Sequence, residues 1–76
     1  MATYNGHKNW NHWNVALWIA NDESLYSMAR ECIGSSPTVD AAARAMLTEF
    51  WKRKNLATPD GAPYTFTTVR AALRGL

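Results

Sequence analysis

Cysteine occurs once, at Cys32, so the chain can form no intrachain disulfide, and no Cys/His cluster has the spacing of a zinc site. That scarcity reads as a cytosolic protein with one buried thiol. Long apolar runs are missing as well. The longest, Val15 to Ala20, falls far short of the roughly 20 residues a bilayer-spanning helix needs, and the start Met1-Ala2-Thr3-Tyr4-Asn5 lacks the basic and apolar regions of a signal peptide. The expectation is no membrane and no secretion. The four glycines are scattered, which leaves no phosphate-cradling loop. Charged residues make up only 18% of a chain that is 47% hydrophobic, too apolar for disorder. At 76 residues it is a single domain, 1–76, with too little interior for both a full core and a closed enzyme pocket.

What is plentiful is aromatic surface: four Trp, three Tyr and two Phe. Such side chains supply large buried areas, and formation of a homodimer would relieve the same shortage of core. Charge is segregated. Residues 1–49 carry three basic side chains against five acidic ones, whereas residues 50–76 carry five (Lys52, Arg53, Lys54, Arg70, Arg74) against Asp60 alone. The C-terminal third is therefore the expected contact for an anionic partner, nucleic acid included.

The spacing of apolar residues predicts an all-α fold, a compact four-helix domain with helices at about 9–20, 22–33, 37–54 and 66–75, an N-terminal arm over 1–8 and a loop over 55–64. Asn9 or Asn11 caps the first helix, whose Trp10, Trp13 and Leu17 follow helical spacing while Val15, Trp18 and Ile19 widen the apolar surface. A helix apolar on more than one side is expected either at the centre of the fold, packed against two or more neighbours, or with an aromatic patch available to a partner. Asn21-Asp22-Glu23-Ser24 starts the second helix, which buries Leu25, Met28, Ala29, Cys32 and Ile33 and ends at Gly34 as a left-handed cap. Ser36 caps the third helix with Pro37 at its first position, and Val39, Ala43, Met46, Leu47, Phe50 and Trp51 form its core stripe. Asp40 with Arg44, and Glu49 with Arg53, are acid-first pairs one turn apart. Lys52, Arg53 and Lys54 suit the negative end of that helix dipole. Thr58-Pro59-Asp60-Gly61 matches a type I turn, and the last helix begins near Thr65 to Thr67. It buries Phe66, Val69, Ala72, Leu73 and Leu76 and leaves Arg70 and Arg74 stacked on another side.

No constellation of catalytic residues emerges. His7 and His12, with Cys32 or Asp22, match no metal spacing, and Cys32 on an apolar stripe is an inert thiol without a base. No enzyme activity, cofactor or metal is expected. The stretch Phe66 to Leu76 is similar to the recognition helix of winged helix-turn-helix regulators, although its preceding loop is too long and no wing follows. It supplies the alternative reading, a small DNA-binding regulator using helix 66–76.

Asn9 to Glu23 resembles an Asn-x-x-Thr/His-Trp-Asn-Val-x-Leu-Trp-Ile/Leu-x-Asn-Asp-Glu pattern, led by Tyr-Asn-Gly as at Tyr4-Asn5-Gly6, in small proteins of phages and other mobile elements grouped as a family of unknown function. The Thr-Pro-Asp-Gly turn and last helix agree with that family more loosely. The resemblance implies no enzyme chemistry. It implies a bacterial host cytoplasm and stoichiometric binding to a host protein or ribonucleoprotein, as anti-CRISPR and anti-restriction proteins bind. Acidic DNA mimicry is excluded by the net charge of +2. Candidate contacts are Tyr4, Asn11, Lys52, Arg53, Lys54, Arg70 and Arg74.

Overall fold

A computed structural model describes residues 7–76 as four helices: α1 Trp10–Asn21, α2 Glu23–Ser35, α3 Val39–Lys52 and α4 Phe66–Arg74. The expected arm over 1–8 thus lies, except for His7 and Lys8, outside the described residues. Each helix opens on a side-chain cap. Asn9, Asp22, Thr38 and Thr65 accept from the backbone N–H groups of His12, Leu25, Ala41 and Thr68, which would otherwise lack helical partners. Asp22 serves twice, because its N–H also closes α1 onto the Trp18 carbonyl. That dual use removes any linker between α1 and α2. At α4 the cap is reciprocal, with the Thr68 hydroxyl accepting from the Thr65 N–H at 2.9 Å.

Three expected helix ends move by two residues. Gly34 is helical and makes no left-handed cap; α2 runs one residue past it and stops at extended Ser36. Thr38 replaces Ser36 as the cap of α3, so Pro37 precedes the helix instead of opening it. The left-handed cap occurs at Lys54 instead, with φ 55°, where the N–H groups of Lys54 and Asn55 reach back to the carbonyls of Trp51 and Phe50. These two bonds satisfy carbonyls that the end of α3 would leave open. α3 therefore ends at Lys52, short of the expected 54.

α1 and α3 each pack against α2 and α4, so the helices close a ring and α1 is no hub. The chain is an all-α single domain with its core inside that ring. Val15, Ile19, Met46, Phe50 and Val69 are fully buried there, together with the amide of Asn14. Aliphatic side chains and Phe50 fill this interior. The tryptophans flank the core. Trp51, expected in the stripe of α3, is 59% exposed, and Trp10 and Leu17, expected to be buried, are also exposed. Tyr64 takes the place left for an aromatic, stacked on Phe50 with ring centroids 3.9 Å apart.

Asp40 does not pair with Arg44. It accepts from Arg70 Nε of α4 at 2.5 Å, while Arg44 lies over the Phe66 ring at 5.1 Å. The α3–α4 contact brings these partners closer than the helical surface alone offers. The Glu49–Arg53 pair forms at 4.0 Å, and Lys52 joins it at 3.5 Å.

Candidate binding surface

Residues 55–64 are more ordered than a plain loop. Thr58 N–H donates to the Ala62 carbonyl and Tyr64 N–H to Leu56, so the segment folds back as a short hairpin around Pro59-Asp60-Gly61. Gly61 has φ 97°, the conformation that ends such a three-residue turn and that side chains with a Cβ rarely adopt. The hairpin is clipped to α1 by four side chains. The Thr58 hydroxyl donates to Asn14 Oδ1 at 2.5 Å; Asn14 Nδ2 and Trp18 Nε1 donate to the same Asp60 oxygen at 2.8 and 2.9 Å. These two donors, Asn14 first, hold the Asp60 carboxyl below its ordinary range. Among the described residues no buried side-chain N or O lacks a hydrogen-bond partner. This polar cluster is a fastener, with the Asn14 amide, the Trp18 indole and the Thr58 hydroxyl each donating within it.

A different polar group gathers where the start of α1 meets α4. His7, Lys8 and His12 face Thr67, Arg70 and Arg74 around an open hollow of about 550 Å³. Asn9 positions this end of α1 by accepting the His12 N–H at 3.0 Å. Burial, then the charges of Lys8 and His7, push the His12 imidazole below its usual pKa, so it is neutral at pH 7. Across the hollow, Asp40 fixes Arg70 from behind. The Asp40 carboxyl is held low chiefly by its hydrogen bond from Arg70, with the charges of Arg70, Arg44 and Arg74 adding to it.

Beside it runs an apolar hollow of about 310 Å³ along the α1–α4 seam, lined by Trp13, Ala16, Leu17, Ala20, Ala72 and Leu76, and sharing His7 and Gly75 with the basic one. Leu17 and Leu76 are exposed at its rim. One face of the molecule therefore presents a basic recess continuous with an apolar one. Tyr26, Trp51 and Leu56 are further exposed large side chains elsewhere.

The structure splits the sequence-predicted contacts. Arg70 and Arg74 share the basic hollow. Lys52, Arg53 and Lys54 are exposed at the end of α3 and line none of it; Arg53 instead borders recesses beside α2 and the hairpin. Asn11 is half-buried in the first turn of α1. Tyr4 lies outside the described residues. Sequence reasoning missed Lys8, His7 and His12 as contacts, because their neighbours on α4 are more than fifty positions away. It also missed the tie from Asn14 and Trp18 to Thr58 and Asp60, for which the only signal was an amide inside an otherwise apolar helix run.

Cys32 is buried, and burial pushes its thiol up, which keeps it protonated. Among the described residues no group of three or more His, Cys, Asp or Glu could hold a metal ion. Among the described residues no helix is long and apolar enough to cross a membrane.

Four capped helices, a clipped hairpin and an open two-part face define a small all-α domain whose accessible chemistry is that of a surface. The chain belongs to a family of unknown function (DUF7249), whose model matches residues 1–73. No curated protein and no solved structure matches it.

Proposed function

We propose that this protein is a non-catalytic accessory protein that acts by stoichiometric binding to a host protein or ribonucleoprotein. The observation behind the reading is the α1–α4 face, where the apolar hollow around Trp13, Leu17 and Leu76 meets the basic one at His7 and Gly75. Partner-binding surfaces combine apolar anchors with a polar, charged surround in this way. The resemblance of Asn9 to Glu23 to small phage and mobile-element proteins supplies the setting: a bacterial cytoplasm in which such a protein blocks a defence complex of the CRISPR or restriction type. The blocking surface would be apolar and basic, in keeping with the net charge of +2.

A tagged chain passed over lysate of a defended host tests this directly. Retention of a defence component, in near-equal amount and abolished by Leu17→Arg at the exposed rim of the seam, is the expected result. Failure to retain any such component, together with unchanged phage plating on cells expressing the chain, sinks the reading. The second reading, a DNA-binding regulator with α4 in the major groove, has on its side the outward row of Thr67, Arg70 and Arg74. It requires preference for one duplex sequence over another.

A further inference from the structure

We infer that the basic hollow between the start of α1 and α4 is a seat for the phosphodiester backbone of a nucleic acid, bound irrespective of base sequence. Its polar wall is made of donors: the ammonium of Lys8, the guanidinium groups of Arg70 and Arg74, the imidazoles of His7 and His12 and the hydroxyl of Thr67. Neither a carboxylate nor a carboxamide side chain lines it. Lysine and arginine cations and a threonine hydroxyl are the groups that contact phosphate oxygens, so the lining suits backbone contact.

The nearest charge balance is incomplete. Asp40 pairs with Arg70, yet the charges of Arg44 and Arg74 also fall on that one carboxylate, and Lys8 stands opposite. Arg70 is also held in place before any ligand arrives, which lowers the ordering cost of a contact. Arg70 and Arg74 lie one helical turn apart, roughly 6 Å along the axis, so both can grip the same stretch of backbone. An acidic peptide is the competing ligand. Its carboxylates would find the same cations, but its apolar groups would find their large anchors only in the neighbouring seam, beyond His7 and Gly75. The inference stands apart from protein docking at the neighbouring seam, and it differs from a base-reading α4 in asking for no sequence preference.

The test is fluorescence anisotropy with two labelled duplexes of unrelated sequence, titrated between about 50 and 200 mM salt, with a poly-glutamate peptide as competitor. Expected are equal affinities for the two duplexes and a steep loss with salt. Lys8→Ala/Arg74→Ala should weaken binding at least tenfold and lower the slope of log K against log salt by about 2, one for each cation removed. Lys52→Ala/Lys54→Ala, whose cations lie outside the hollow, should change affinity by less than about twofold. Circular dichroism of both variants checks the fold. Absence of binding at micromolar protein in low salt overturns the inference. So does equal loss in the two double variants, which would mean diffuse charge, or a poly-glutamate affinity above that of DNA, which would mean a seat for acidic protein.

Discussion

Two polar clusters of this domain contrast sharply. The clip of Asn14, Trp18, Thr58 and Asp60 and the hollow of His7, Lys8, His12, Arg70 and Arg74 both join α1 to a distant part of the chain. In the clip, an amide, an indole, a hydroxyl and a carboxylate meet complementary atoms at 2.5–2.9 Å, so donors and acceptors are matched within the cluster. In the hollow, the cations of Lys8, Arg70 and Arg74 face one another across solvent. A closed set of donors and acceptors holds a fold together, and an excess of one kind waits for a partner. The resemblance that marks Asn14 and Trp18 therefore points to the fastener, and the candidate function lies in residues the pattern does not single out.

Breaking the clip should have the largest effect. Asn14 is 1% exposed, and Asn14→Leu would leave the Thr58 hydroxyl proton without its acceptor and the Asp60 carboxylate with Trp18 as its one remaining donor in the clip. The expected cost is about 2 to 3 kcal/mol, read from urea denaturation, with duplex binding preserved in the folded fraction. Asp60→Asn comes next, seen as a lower Tm at neutral pH and a flatter acid limb. Because the folded carboxyl titrates below its unfolded value, its contribution is full above about pH 4 and lost as pH falls through the depressed value. A variant as stable as the parent at pH 7 would show that the hairpin needs no clip.

Backbone changes sharpen the contrast from outside both clusters. Lys54→Gly relieves a left-handed residue at the end of α3, and Gly34→Ala fills open space on a helix, where no heavy atom lies within 4 Å of the added Cβ. Each should stabilise by about 0.5 to 1 kcal/mol in thermal melts without touching anion binding. The smallest stability effect belongs to the hollow. Lys8→Ala/Arg74→Ala should move stability by no more than about 0.5 kcal/mol, since both side chains are exposed, while weakening the duplex complex. A large loss of stability there would make the hollow structural too.

The four helices were legible because their start signals are local. Asn9, Asp22 and Thr65 cap helices within three residues of themselves, and the apolar spacing of α3 needs no partner to be seen. The stops were less legible. Gly34 has the freedom of a left-handed cap but continues α2, and Lys54 adopts that conformation without being a glycine. Asp40 illustrates the same limit: one turn from Arg44 along α3, it is held by Arg70 from α4. The basic hollow was half legible. Arg70 and Arg74 stand one turn apart in any helix, but that Lys8 and His12 face them depends on how α1 meets α4.

The sequence by itself determined that this protein is all-α, where three of its four helices begin, that a turn sits at Thr58 to Gly61, and that cations concentrate toward the C-terminus. These properties depend on neighbours within a turn of helix or a few residues of chain. Only the tertiary structure decided that Val15 and Ile19 fill the centre while Trp10 and Trp51 remain outside, that Asn14 fastens the hairpin, and that the start of α1 and α4 share one basic recess. Burial and pairing depend on which surfaces the ring of helices brings together. Periodicity names an apolar face, and packing selects the side chains that fit it.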